Sequence, residues 1–133
     1  RDLARLKHAD VRFCKVDVIA EPLPAEFDVI TCSLFLHHLD VSAAVEVMRK
    51  MSQRARHSVL INDLLRGRFA YQLAYWGCRL LSRSRIVHVD GPLSVAGAFN
   101  REEALALAER AGMTGSTMSA HWPQRFLLNW RRP

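Results

Sequence analysis

The run Phe27-Asp28-Val29-Ile30-Thr31-Cys32-Ser33-Leu34-Phe35-Leu36-His37-His38-Leu39 constrains the fold more than any other segment of the chain. Its first five residues are apolar apart from Asp28 and Thr31, which predicts a strand covered on both faces, as strands of parallel sheets are. Small polar residues then turn the chain toward a helix start, for which Asp40 is the cap. Strand, polar turn and helix make one unit of an open α/β sheet, and in such sheets ligands bind at the carboxyl edge of the strands. No glycine precedes the run, so this edge lacks the glycine-rich loop that would hold a nucleotide.

Arg1 to about Ala9 has the character of a helix tail, with Leu3 and Leu6 on one side. The chain is therefore expected to be a fragment whose natural beginning is lost. Val11-Arg12-Phe13-Cys14-Lys15-Val16 alternates roughly and predicts a short strand, closed by Asp17 and a loop holding Pro22 and Pro24. After Asp40, the positions Val41, Ala44, Val45, Met48 and Met51 recur at helical spacing. Ser58-Val59-Leu60-Ile61-Asn62-Asp63 is a further apolar strand, with Asn62 and Asp63 at its carboxyl end.

A second helix is predicted from Phe69 to Ser82. Phe69, Leu73, Trp76 and Leu80 form one stripe, while Tyr71, Tyr75, Cys78 and Leu81 lie elsewhere, so it is apolar nearly all round. Interrupted by Gln72 and Arg79, it is too short to span a bilayer. Protein, a ligand or a lipid surface must cover it. Asp90-Gly91-Pro92 reads as a turn. Asn100 with Glu103 forms a capping box, Ala104, Leu105, Ala108 and Ala111 continue that helix, and Gly112 ends it. The tail predicts two strands around His121-Trp122-Pro123, with Phe126, Leu128 and Trp130 pointing one way. This order is that of an α/β domain with few strands for a covered parallel sheet.

The 133 residues, half of them hydrophobic, suffice for one core. The formal charge of +6 is carried almost wholly by arginine. Nucleic-acid binding would require these charges in a stripe or beside exposed aromatics. Instead Arg49, Lys50, Arg54 and Arg56 sit at the back end of one helix, Arg66 and Arg68 flank a turn, and Arg131 and Arg132 end the chain, as solvated faces and helix-dipole complements do. No nucleic-acid partner and no integral membrane span are expected. Cys14, Cys32 and Cys78 are far apart in apolar runs, which argues against disulfides and thiolate metal sites and for a reducing, cytoplasmic location. Cys32 reads as a small buried hydrophobe, although it also sits where a ligand could touch it.

Four segments together resemble class I S-adenosylmethionine-dependent methyltransferases of the small-molecule branch. These are Val16-Asp17 with its proline-bearing loop; Phe27-Asp28-Val29-Ile30 leading into Leu36-His37-His38-Leu39; Val59-Leu60-Ile61-Asn62-Asp63; and Phe99-Asn100-Arg101-Glu102-Glu103 through Ala111-Gly112-Met113. Their order covers almost the whole chain. The resemblance implies an incomplete Rossmann-like methyltransferase sheet that lacks the amino-terminal strands and their glycine-rich loop. Residues 1–133 would form a partial methyltransferase domain with a helical acceptor-cap insertion over about 66–98.

The resemblance also assigns roles. Asp17 is similar to the acid that accepts from the adenine amino group, with Val18 or Ile19 beside the ring; a turn cap is the equally weighted alternative. Thr31, Cys32, Ser33 and Leu34 resemble the loop facing the methionine part of the cofactor. Asp28 is expected to stabilise the strand start. His37 or His38 would line the acceptor pocket or hold the loop, and as imidazoles they are the general-base candidates. Adjacent side chains diverge and no third ligand follows at helical spacing, so no metal is expected. His88 is a further candidate beside the acceptor, against the plainer reading of a structural loop histidine near Asp90. Tyr71, Tyr75 and Trp76 would offer flat walls to a hydrophobic or aromatic small-molecule acceptor. A dimer interface or plain core accounts for them equally well.

The family's glycine-rich loop and the acid that takes the ribose hydroxyls have no counterpart in this chain. Methyl transfer is thus expected of the parent protein and not of the fragment alone. The missing strands would come from an amino-terminal segment or another copy in a homo-oligomer, or the remaining strands would close up in a different order; in each case the strand at Phe27 has an exposed or partner-covered edge. A non-catalytic interaction module on the same scaffold is the competing function. A dinucleotide oxidoreductase is a weaker third, because it needs the same missing fingerprint.

Overall fold

The structure, a computed structural model, describes residues 11–133; the helix expected over Arg1–Ala9 lies outside them. Strand β1 (Phe27–Ser33) leads through a 3-10 turn (Leu36–His38) into helix α1 (Val41–Arg54), and β2 (Ala55–Leu64) follows directly. Helices α2 (Arg68–Leu81) and α3 (Arg85–Gly97) form a hairpin, after which come α4 (Arg101–Arg110), β3 (Thr117–His121) and β4 (Arg125–Arg131). The four strands lie in the order β1-β2-β4-β3. β1 is parallel to β2, and the other two ladders are antiparallel.

Register explains where the core sits. Cys32 pairs with Ile61, Ile61 with Leu128, and Leu128 with Met118, so one row of apolar side chains crosses all four strands. Against this face pack Val45, Met48 and Met51 of α1 and Ala104, Leu107 and Ala108 of α4, all buried. The opposite row, Thr31–Leu60–Asn129–Thr117, is partly or fully exposed.

Local signals set the helix limits as expected. The Asp40 carboxylate accepts from the Ala43 N–H at 2.8 Å. Asn100 and Glu103 form a reciprocal capping box, and Gly112 ends the last helix at φ +77°, in the left-handed region that favours glycine. Three interactions close the frame. Lys50 donates to the carbonyls of Val18, Ile19 and Glu21, tying the 17–21 turn to α1. Arg132 donates to Ser52, Gln53 and Ala55, satisfying carbonyls where α1 ends. Arg56 and His57 approach Asp28 at 3.9 Å, beside the start of β1. Lys50 and Arg132 are thus structural tethers and not merely solvated charge.

Several expectations change. Val11–Val16 forms no strand and is mostly exposed, because no neighbouring strand among the described residues offers it a ladder. β1 is not covered on both faces: Phe27 and Val29 are about half exposed, since the helices α1 and α4 pack on a single face of the sheet. Its outer edge has no strand beside it among the described residues, as expected. Asp90-Gly91-Pro92 does not turn but runs within α3. Gly91 there allows a close approach, for an added Cβ would lie 2.4 Å from Cys78 Sγ of α2. The hairpin's ends meet at a bridge between Leu65 and Phe99. No helix among the described residues is long and apolar enough to cross a membrane.

Phe126 is the largest fully buried side chain. Phe126→Ala should cost about 4 kcal/mol by chemical denaturation, the transfer loss plus a cavity. Asp40 is held below its ordinary value of 3.8, chiefly by the Ala43 N–H and then by the Ser42 hydroxyl. A depressed folded-state pKa contributes stability that is present above the unfolded value and lost as pH falls through the folded one. Thermal melts should therefore show wild type losing stability relative to Asp40→Asn, whose cap does not titrate, as pH drops below 3.8.

Candidate functional site

β1 and β2 are parallel neighbours, so their carboxyl ends meet. There Ser33 pairs with Asn62, and the Leu34 N–H donates to the Asn62 carbonyl at 2.9 Å. Leu34 is a non-glycine residue at φ +51°, a conformation that L-residues adopt at a cost of about 1 kcal/mol. The strain turns the chain sharply off the sheet and over the end of β2.

Asp63 receives it. Its Oδ2 accepts from the N–H groups of Phe35 (3.1 Å) and Leu36 (2.7 Å), and Oδ1 accepts from the Leu64 N–H (2.7 Å) and lies 2.6 Å from His37 Nδ1. The Asp63 and His37 side chains are 2% and 6% exposed. A carboxylate only accepts, so His37 donates from Nδ1, and in the neutral form of the ring the lone pair is then on Nε2. A base oriented by a buried acid is an arrangement suited to taking a proton. His38 lies beside it, ring centroids 4.0 Å apart, but is exposed. α3 ends against this turn, since an added Cβ on Gly97 would come within 3.0 Å of the His37 carbonyl.

On the α1 side of β1 lies a cavity of about 290 Å³, lined by Val16, Val18, Thr31, Cys32, Phe35 and Met51 among others. Of the expected cofactor residues it brings together Val18, Thr31 and Cys32. Ser33 and Leu34 stand at its carboxyl end and are exposed. Asp17 adjoins it in sequence, but its Oδ1 accepts from the Ile19 and Ala20 N–H groups at 3.0 Å each, which makes it the cap of its own turn. These bonds, Ala20 first, hold its carboxyl below the usual range. Burial, aided by the charge of Asp63, pushes the Cys32 thiol up to about 11. Cys32 thus stays a protonated thiol at neutral pH.

The hairpin aromatics form a cluster of their own. Tyr71 and Tyr75 stack at 6.4 Å, Trp76 meets Tyr75 edge-on at 5.3 Å, and the Arg79 guanidinium lies 3.5 Å over the Tyr75 ring. Tyr71 lines an open cleft of about 480 Å³ with Arg66, Arg68, Gln72 and Val95, and the residues lining it do not include His37 or His38. His88 is a helical residue and not a loop histidine, with Nε2 2.7 Å from the Ser82 carbonyl. That bond closes the far end of the hairpin. Among the described residues no His/Cys/Asp/Glu group is placed to hold a metal.

Neither a protein-family model nor a curated protein matches the chain. Solved structures do. The S-adenosylmethionine-dependent methyltransferase SibL, in its apo form, superposes at TM-score 0.68 with 14% identity over 99% of this chain and 40% of its own. TnmH gives 0.65 with 21% identity over 92% and 35%. An O-methyltransferase family 2 protein of Planctomyces limnophilus, in complex with apigenin, gives 0.57 with 18% identity over 89% and 33%. The fold is therefore that of part of a methyltransferase, and the chain spans roughly two fifths or less of the length of these proteins.

Asp63→Ala would leave two loop N–H groups and a buried imidazole without their acceptor, and should destabilise the chain by about 3 kcal/mol in urea unfolding. With iodoacetamide at neutral pH, the exposed Cys14 should be alkylated well before Cys32. Equal labelling rates by mass spectrometry would contradict a protonated, partly buried Cys32.

Proposed function

We propose that the protein carrying this chain transfers a methyl group from S-adenosylmethionine to a hydroxyl of a small, hydrophobic or aromatic acceptor, with His37 as general base and Asp63 positioning it. The observation that carries the reading is the His37 Nδ1–Asp63 Oδ1 contact of 2.6 Å at the carboxyl edge of a methyltransferase-like sheet. His37 Nε2 is the nitrogen that takes the acceptor's hydroxyl proton, and Asp63 stabilises the imidazolium so formed. When bound, S-adenosylmethionine supplies a methyl carbon activated by its sulfonium sulfur. The residues present fit one end of that molecule. The apolar cavity walls at Val18, Thr31 and Cys32 suit a flat ring, and Asp17, with Oδ1 committed to its turn, has Oδ2 to accept from an adenine amino group. Ser33 and Leu34 would face the methionine part.

Tyr71, Tyr75 and Trp76 stand on the hairpin that abuts the His37 turn, and would wall the acceptor; an aromatic acceptor agrees with the apigenin bound by the Planctomyces protein. His38, exposed beside His37, would contribute to the mouth of the site. The exposed apolar hairpin favours one other reading, a non-catalytic interaction module on this scaffold, and a methyl-transfer assay separates the two.

In the whole protein, His37→Ala should lower kcat by roughly 10²–10⁴-fold with a flavone acceptor while leaving cofactor affinity within error; an unchanged kcat would remove His37 from the chemistry. Calorimetry on residues 1–133 alone should show weak or no binding of S-adenosylmethionine, since no glycine-rich loop lies in the chain. A submicromolar Kd would overturn that expectation.

A further inference from the structure

Among the described residues, the α2–α3 hairpin is tied down at its base. Its buried residues are Ala70 in α2 and Pro92 and Val95 in α3, all near the Leu65–Phe99 bridge. Fourteen residues of α2 carry its far end about 20 Å along the helix axis. At that far end stand some of the most exposed large hydrophobic residues of the described chain: Leu80 at 81%, Leu81 at 91% and Ile86 at 78%. Exposed apolar side chains concentrated on one protruding feature mark a surface that another phase or molecule covers.

Charge selects which. Arg79, Arg83 and Arg85 flank these three residues in sequence, and the only acid in the whole hairpin is Asp90. Arg79 lies over the Tyr75 ring and donates to the Tyr75 carbonyl, so its exposed guanidinium is held one turn back from the tip, on the flank of α2, while Arg83 and Arg85 stand at the tip itself. α2 is apolar on its broad face, bears Trp76 and Phe69 exposed, and has arginine as its only charged residue type. This is the pattern of a helix that lies in a lipid interface. A two-fold contact between copies of the tip would oppose one arginine collar to another.

We propose that the hairpin tip docks on an anionic lipid surface, Leu80, Leu81 and Ile86 entering the headgroup region and Arg79, Arg83 and Arg85 binding its phosphates. The tip residues are distinct from the acceptor walls proposed at Tyr71, Tyr75 and Trp76, although α2 carries both. Because the arginines act through surface potential, binding weakens as salt rises.

Co-sedimentation of the chain with vesicles of phosphatidylcholine alone, and of phosphatidylcholine mixed equally with phosphatidylglycerol, tests this directly. The chain should pellet with the mixed vesicles and not with the neutral ones. Each of Arg79→Gln, Arg83→Gln and Arg85→Gln should weaken binding roughly fivefold, and Leu80→Asp with Leu81→Asp should abolish it. These side chains are exposed, so the variants should melt with wild type, and a shared melting temperature keeps a lost signal from being a lost fold. Failure of the wild-type chain to pellet, equal binding to both vesicles, or wild-type binding by the triple arginine variant would each overturn the proposal. So would a vesicle-independent dimer by light scattering that the leucine changes dissolve, which would make the tip a contact between copies.

Discussion

Asp63 holds the site half of the molecule together. Buried at the end of β2, it accepts from three main-chain N–H groups and one imidazole. A buried carboxylate is tolerated only when its lone pairs are so occupied. With that acceptor in place the strained turn at Leu34 can be kept, the 3-10 turn has a fixed seat, and His37 has one tautomer and one orientation. α3 then has a surface on which to end, at Gly97 against the His37 carbonyl. Strain at Leu34 and the anchoring at Asp63 are two sides of one arrangement: the turn costs energy locally and the hydrogen bonds to the carboxylate offset it.

The rest of the domain distributes stability unevenly. β2 and β4 lie inside the sheet with α1 and α4 packed on one face, and these four elements together contribute most of the buried core. β1 has a free edge among the described residues and a half-exposed apolar face, and the hairpin has almost no buried side chains beyond its base. The parts proposed to meet small molecules and lipid are therefore attached to the core through few points: the β1–β2 ladder, Asp63, Lys50 on the 17–21 turn, and the Leu65–Phe99 bridge. Elements of low local burial are the ones that open and adapt at low cost.

Much of this was legible in the residues. The caps at Asp40 and Asn100–Glu103, the stop at Gly112 and the alternation of Phe126, Leu128 and Trp130 act through neighbours a few positions away, so sequence spacing reports them faithfully. Asp90-Gly91-Pro92 misled because its turn propensity is local while its environment is not: packing against Cys78 of α2 rewards a glycine inside a helix. Val11–Val16 has a strand's alternation, but a strand exists only where another lies beside it. For the site, the residues offer His37 only as one histidine among several, and they put Asp63 at the carboxyl end of its strand without a role. A lone acid closing an otherwise apolar strand was the signal that could have singled it out.

The chain's own pattern determined the α/β order, the helix limits, the terminal strand pair and the carboxyl edge at which the candidate site is formed, because each follows from local propensity and periodicity. Tertiary structure alone decided that Asp63 chooses His37 over its neighbour His38, that the sheet is covered on one face, and that the hairpin projects its leucines and arginines away from the body. Those outcomes depend on which residues far apart in sequence come within hydrogen-bonding or van der Waals distance, and only the packed backbone sets that.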